Sequence, residues 1–199
     1  MVKREISPAI NLNCDEYMST LSDVSISKIQ RIRKEKENNT RAKPSETLID
    51  SSTLLNEEKR RRLIDKIASL VDENLTGRSD MCKQFAKLLT KALQHFGLPA
   101  QFIMGECIYY NKEGKSMYKW EHAWVRIKKE VVDGNIDSSI ENPCFPKEIT
   151  PKPYWGLIKE TPIDRKFCKN KVQSDFNDQD VEYIWWPDLN IWIETTINS

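Results

Sequence analysis

Residues 80–100 read DMCKQFAKLLTKALQHFGLPA, and this stretch decides the predicted fold. Its apolar residues recur every three or four positions, which is the spacing of one face of an α-helix. They are Cys82, Phe85, Ala86, Leu89, Leu93 and Phe96. Ser79 or Asp80 can cap the start of the helix, and Gly97 can end it. The pattern predicts an amphipathic helix that begins near Asp80 and ends near Phe96.

A second amphipathic helix precedes this stretch, and strands follow it. Residues 56–74 carry one apolar helical face, formed by Leu63, Ile64, Ile67, Leu70 and Val71. Runs rich in aromatic and β-branched residues then predict three strands, Gln101–Tyr110, Tyr118–Ile127 and Glu130–Asp133. The order of two helices and three strands predicts an α+β fold, with the helices packed on an antiparallel sheet.

The two ends of the chain differ in composition from this predicted core, which covers residues 56–140. Residues 1–55 predict a partly irregular N-terminal extension with one helix, Ile26–Lys36. Residues 141–199 are rich in proline and then in aromatic and acidic side chains. Because proline interrupts helices and strands, we expect an irregular C-terminal extension that packs on the core.

The amino-acid composition argues against several classes of function. The 199 residues are 39% hydrophobic and 31% charged, and their formal net charge of +1 argues against a nucleic-acid partner. No apolar run is long enough for a membrane span or a secretion signal, so we expect no membrane partner. The 5 cysteines are scattered without a C-x-x-C pair, which argues against a disulfide framework or a zinc site and favours the cytoplasm. The oligomeric state stays open.

Cys82 is the candidate nucleophile because it lies in the first turn of the predicted helix. Backbone N–H groups and the positive end of the helix dipole favour a thiolate at that position. The same N–H groups can stabilise an oxyanion on an attacked carbonyl. The alternative is that Cys82 is a small core residue, since it is also in phase with the apolar face.

Only 2 histidines are available as a base. His95 follows Cys82 by thirteen residues on the same predicted helix, which is roughly 20 Å along the axis, so it cannot act on Cys82. His122 lies in the segment WEHAWV, residues 120–125, within a predicted strand. A strand can hold an imidazole beside a helix N-terminus that packs on the sheet. We therefore predict His122 as the base, against the alternative of a structural histidine.

A third residue is needed to orient the imidazole, and the next strand supplies acids. If residues 128–129 form a two-residue turn, Asp133 projects to the same face as His122 and lies diagonal to it. Asp137 has the same parity and is the reserve. A register slip of one residue would reverse the choice, so the prediction of Asp133 depends on that turn.

Four segments together resemble the transglutaminase-like superfamily. They are MCKQFAKLL (81–89), FGLPA (96–100), HAWV (122–125) and VVD (131–133). Proteins of that superfamily present Cys at a helix start, a hydrophobic helix with a Gly-x-Pro-Ala-like end, His-Ala-Trp on a strand and Asp on the next strand. The likeness covers about residues 60–137. The short His-to-Asp hairpin is similar to that of lasso-peptide leader peptidases, whereas many relatives have threonine or proline where Gly134 stands.

The resemblance implies a papain-like, transglutaminase-like core with a Cys82–His122–Asp133 triad and without a cofactor or metal. Cys82 would attack an amide or ester carbonyl of a peptide or protein substrate, and His122 would move the proton. The expected reaction is thiol-dependent hydrolysis of a peptide, isopeptide or side-chain amide bond. The alternatives are a transamidase or acyltransferase with the same triad, and a non-catalytic module that binds a partner through its tryptophan-rich C-terminal region.

A calcium loop is a further alternative for residues 133–137, which read DGNID. Oxygen ligands stand at alternate positions there. The segment lacks the twelve-residue loop and final glutamate of an EF-hand, and we therefore predict a polar turn.

Overall fold

A computed structural model describes residues 30–31, 33–35, 37–38, 42–73, 77–142, 145–146, 148–173 and 175–197. Of the predicted helix Ile26–Lys36, residues 30–31 and 33–35 are described and are helical, whereas Cys14 and Cys144 lie outside the described residues. The next elements are a short helix, α1 (Pro44–Thr47), and a two-residue strand, β1 (Ile49–Asp50).

Two longer helices carry the apolar faces of the sequence. They are α2 (Glu57–Val71) and α3 (Cys82–His95). Asn56 caps α2, since its side-chain oxygen accepts a hydrogen bond of 2.8 Å from the backbone N–H of Glu58. The bounds of both helices agree closely with those predicted.

The start of α3 differs from its prediction. Met81 is the N-cap residue, and no side chain caps this helix, so the predicted cap by Ser79 or Asp80 is wrong. Those two residues lie in a turn closed by a 3.1 Å hydrogen bond from Met81 N to Arg78 O, which holds them ahead of the helix. The first turn of α3 therefore presents its N–H groups without a competing side-chain acceptor.

The sheet is built from β1 and five further strands. These are β2 (Ala100–Tyr110), β3 (Ser116–Ile127), β4 (Glu130–Asp133), β5 (Tyr154–Leu157) and β6 (Arg165–Val172). They form one 6-stranded sheet in the order β1-β5-β4-β3-β2-β6. β1 and β5 pair in parallel, and the other pairs are antiparallel. The α+β class is confirmed, with a sheet that is mixed and mostly antiparallel.

The C-terminal region is more regular than predicted. Strands β5 and β6 belong to the main sheet, so the expectation of an irregular C-terminal extension is wrong for residues 154–172. Pro153 and Pro162 stand ahead of these strands and not inside them, where a missing N–H would interrupt the ladder. The prolines therefore mark strand borders.

A helical segment ends the described chain. Helix α4 (Trp186–Trp192) is flanked by π-helical turns, Val181–Trp185 and Ile193–Ile197. Every fourth residue of this segment is buried in the core that α2, α3 and the sheet share, namely Val181, Trp185, Leu189 and Ile193. In the part of the chain that the structure describes, no helix combines the length and apolar character that crossing a bilayer requires.

The sheet separates two sets of packed side chains. Helices α2 and α3 cover one face, where Val125, Ile127 and Val132 are buried. Trp124 and Val131 lie on the opposite face, because neighbouring residues of a strand point to opposite sides. His122 and Asp133 share the parity of this second face.

Candidate active site

Cys82 is the first residue of α3, as the sequence predicted. Its side chain is buried, with an exposed fraction of 5%. The first turn of α3 contains no acidic residue that would oppose a thiolate. The helix dipole and the backbone N–H groups therefore act on this sulfur with little local opposition.

The hairpin that joins β3 and β4 has the predicted register. Ile127 pairs with Glu130 and Val125 pairs with Val132, so residues 128–129 form the turn. This register brings His122 and Asp133 together, and His122 Nε2 lies 2.9 Å from Asp133 Oδ1. The two side chains are 5% and 1% exposed, which makes this a buried charge-assisted contact.

The imidazole also meets the thiol. Burial lowers the pKa of His122, but the charge and hydrogen bond of Asp133 raise it by more, and a hydrogen bond with Cys82 raises it further. The resulting pKa of His122 is about 10. At neutral pH the ring is therefore protonated.

The aromatic neighbour of His122 limits the freedom of the ring. Trp124 lies two residues along β3, with its ring centroid 6.2 Å from that of His122 and tilted by 31°. Phe167 packs against Trp124, and their ring centroids are 4.6 Å apart. The imidazole is thus held between a carboxylate, a thiol and an aromatic wall.

Arg78 ties the loop before α3 to the segment that follows β4, which includes a 3₁₀ helix, Ile136–Glu141. Its guanidinium lies 2.7 Å from Asp137 Oδ2 and 2.9 Å from Asn135 Oδ1. Its backbone N–H donates to the carboxylate of Glu141, and its carbonyl oxygen accepts from the Asn135 amide at 3.0 Å. These contacts fix the approach of α3 to the end of β4. Sequence reasoning missed Arg78, because nothing in a single polar loop marks such contacts.

Gly134 lies where α3 approaches the end of β4. An added Cβ at this position would lie 2.7 Å from the ring of Phe85, which is buried in α3. The close approach of α3 to the end of β4 therefore leaves room only for glycine after Asp133. The same approach brings the start of α3, and with it Cys82, toward the His122–Asp133 pair.

Arg165 is a second functional candidate that sequence reasoning missed. Its Nη1 lies 3.6 Å from Asp133 Oδ2, and both side chains are almost completely buried. Its Nε donates to Asp164 at 2.8 Å and its Nη2 to the carbonyl oxygen of Lys152 at 2.8 Å. The only signal in the sequence is a basic residue at the start of a strand, which by itself predicts a solvent-exposed side chain.

The remaining candidates lie elsewhere. Asp137, the reserve acid, pairs with Arg78 and makes no hydrogen bond to His122. His95 ends α3 and contacts Glu194 at 2.6 Å, at the far end of the helix from Cys82, as predicted.

The oxygen-bearing side chains of residues 133–137, which the sequence offered as calcium ligands, contact other side chains of the protein. Asp133 faces His122, and Asn135 and Asp137 both bind Arg78. Among the described residues, no group of three or more His, Cys, Asp or Glu side chains is arranged to hold a metal ion.

Comparisons with protein-family models, with curated proteins and with solved structures found no match for this chain.

Proposed function

We propose that this protein is a thiol-dependent acyl-transfer enzyme of the transglutaminase-like kind, with Cys82, His122 and Asp133 as its triad. One observation carries the proposal: an uncapped helix start presents a thiol close enough to an imidazole to raise its pKa, and that imidazole lies 2.9 Å from a buried carboxylate. The three groups come from one helix and two neighbouring strands. This is the constellation of nucleophile, base and orienting acid that acyl transfer requires.

Acylation starts when the Cys82 thiolate attacks the carbonyl carbon of an amide and forms a C–S bond. The negative charge moves to the carbonyl oxygen, where N–H groups at the start of α3 stabilise it. His122 then gives its proton to the leaving nitrogen as the C–N bond breaks. An amine leaves, and a thioester on Cys82 stays behind.

Water resolves the thioester in the second step. His122 takes a proton from water, the oxygen attacks the thioester carbonyl, and the C–S bond breaks to release a carboxylic acid. Asp133 keeps the imidazole in one orientation and stabilises its protonated form. We favour water over an amine as the acceptor because water needs no binding channel of its own. A peptide or protein is the proposed substrate.

The test uses N,N-dimethylcasein as a probe, with and without monodansylcadaverine. Hydrolysis would create new carboxyl groups without incorporating the fluorescent amine, whereas transamidation would incorporate it; a glutamine side chain releases ammonia in both reactions. Cys82→Ala and His122→Ala should each remove nearly all of either product. Turnover close to that of the unchanged protein in either pure variant would refute the triad.

Thiol labelling covers the case in which casein is not a substrate. Peptide mapping after iodoacetamide treatment gives the alkylation rate of each cysteine at neutral pH. We expect Cys82 to react faster than Cys168, which is more exposed. A slower or equal rate at Cys82 would favour a non-catalytic binding module.

A further inference from the structure

The carboxylate of Asp133 has two oxygens, and the triad accounts for one of them. Oδ1 contacts His122, whereas Oδ2 is buried and has no hydrogen-bond partner in the described part of the chain. Arg165 Nη1 is likewise buried and without a hydrogen-bond partner. The two atoms lie 3.6 Å apart, too far for a good hydrogen bond but close enough for a strong charge interaction in a buried site.

Other titratable groups also face this carboxylate. Cys107 and Tyr109 on β2 interact with Asp133, and Tyr154 on β5 is its register partner. Burial, with the Asp133 charge, raises the pKa of Cys107 to about 12. Burial likewise raises the pKa of Tyr109 well above its usual value. Both groups are therefore neutral at ordinary pH.

The other titratable neighbours of Asp133 and Arg165 are Tyr154 and Asp164. Burial raises the pKa of Tyr154, so this phenol is neutral as well. Asp164 is the acid that faces Arg165, and it lies on the other side of the guanidinium from Asp133. Among the described residues, Arg165 is thus the permanent cation that pairs with Asp133.

We propose that Arg165 is a positioning residue that balances the buried charge of Asp133 and so sets the pH at which the His122 ring titrates. The proposal rests on the proposed triad. A buried carboxylate without a cation takes up a proton more readily, and an imidazole next to a neutral acid loses its partner. Arg165 acts on the reaction through Asp133 and does not touch the reacting atoms.

The sign of the effect follows from the charge. Removing a positive charge from a cluster raises the proton affinity of the titratable groups that remain in it. Both limbs of a pH–rate profile should then move to higher pH, and the acid limb should move by about one unit or more, as expected for a carboxylate that loses an arginine neighbour.

The experiment compares Arg165→Gln with the unchanged protein. The first measurement is the rate at which iodoacetamide alkylates Cys82 between about pH 4 and pH 10. The second is the titration of the His122 ring by NMR in a His95→Gln background, where a single imidazole remains. Asp164→Asn is the matched control, because it removes a contact of Arg165 and leaves the cation beside Asp133.

We expect both titrations to move upward in Arg165→Gln and not to move upward in Asp164→Asn. A purely structural role for Arg165 predicts a loss of stability in both variants with unchanged titrations, and that result would overturn the proposal. If the unpaired Asp164 prevents folding of Arg165→Gln, the double variant Asp164→Asn/Arg165→Gln is compared with Asp164→Asn and should show the same upward shift.

The two proposals fail in different ways. A missing activity on any acyl substrate, with an Arg165-dependent titration of His122, would refute the proposed function and retain the electrostatic role of Arg165. If the enzyme is active and Arg165→Gln leaves both titrations unchanged, the proposed function stands and the role of Arg165 is refuted.

Discussion

Cys82 and Cys107 are both buried, but their surroundings differ in the features that control thiol chemistry. Cys107 lies within β2, where burial and the charge of Asp133 raise its pKa to about 12. Cys82 lies at a helix start whose first turn contains no acidic residue, and its thiol raises the pKa of His122. One carboxylate therefore has opposite consequences: it acts on Cys107 as a like charge, and it acts on Cys82 through a protonated ring.

Burial alone does not make a cysteine reactive. A buried thiol whose surroundings disfavour the charged form is a small apolar side chain. What separates the two cysteines is the backbone on which each lies and the group that faces its sulfur. The following predictions test this difference, beginning with the largest expected effect.

Replacement of the two thiols should have opposite outcomes. Cys82→Ala should lower thiol-dependent turnover by at least about 10³-fold, because the nucleophile itself is removed. Cys107→Ala removes one buried sulfur and should cost about 1 kcal/mol of stability with turnover retained. Turnover is measured on dimethylcasein, and stability by urea unfolding. A loss of activity in Cys107→Ala at normal stability would contradict the comparison.

His122 should be the source of the reactivity of Cys82. His122→Ala should lower turnover by about 10³-fold, a size typical of a general acid–base group. It should also slow the alkylation of Cys82 at neutral pH toward the rate of a buried thiol, since the imidazolium is lost. His95→Ala is the matched control and should leave both rates unchanged. An unchanged alkylation rate in His122→Ala would mean that the helix start suffices to activate the thiol.

The identity of the orienting acid gives a third test. Asp133→Asn should lower turnover by about 10²-fold or more, because an amide neither stabilises the imidazolium nor fixes its orientation. Asp137→Asn, which affects the acid bound to Arg78, should have a smaller effect on turnover. Larger losses in Asp137→Asn than in Asp133→Asn would reverse the assignment of the acid.

Local patterns were sufficient to predict the elements that carry the triad. The apolar face of α3 and the length of the β3–β4 hairpin are properties of contiguous sequence, and each predicted bound depends on a few neighbouring residues. The hairpin register was predictable because a two-residue turn fixes it. The positions of His122 and Asp133 followed from that register.

Long-range contacts account for what sequence reasoning missed. Strands β5 and β6 join the sheet through pairings with distant residues, and the prolines ahead of them concealed the strands. Arg165 reaches Asp133 only because β6 packs at the edge of that sheet. The cap of α3 was wrong for a related reason, since contacts of Arg78 with residues 135–141 determine where the helix begins.

The stability of the protein should depend on pH through His122. Its folded-state pKa, about 10, lies above the ordinary value of 6.5, so the folded protein holds a proton that the unfolded chain releases. This stabilisation is complete below about pH 6.5 and is lost as the pH rises toward about 10. The urea midpoint should therefore fall more steeply between about pH 7 and pH 10 in the unchanged protein than in His122→Gln. Equal slopes would show that the ring is not stabilised in its protonated form.

The smallest effect is expected at an exposed cation near the thiol. Lys83 follows Cys82, and its Nζ lies 3.0 Å from Glu121, with 41% and 66% of the two side chains exposed. Solvent and salt weaken such a pair, so Lys83→Gln should slow the alkylation of Cys82 by less than about threefold. Glu121→Gln leaves Lys83 without its partner and should change the rate equally little in the opposite direction.

Salt distinguishes this surface effect from that of the buried imidazole. The difference between Lys83→Gln and the unchanged protein should vanish in about 1 M salt, where the screening length falls to about 3 Å. The effect of His122→Ala should persist there, because a buried pair is screened much less. A tenfold slower alkylation in Lys83→Gln would mean that a surface ammonium, and not the buried ring, separates Cys82 from Cys107.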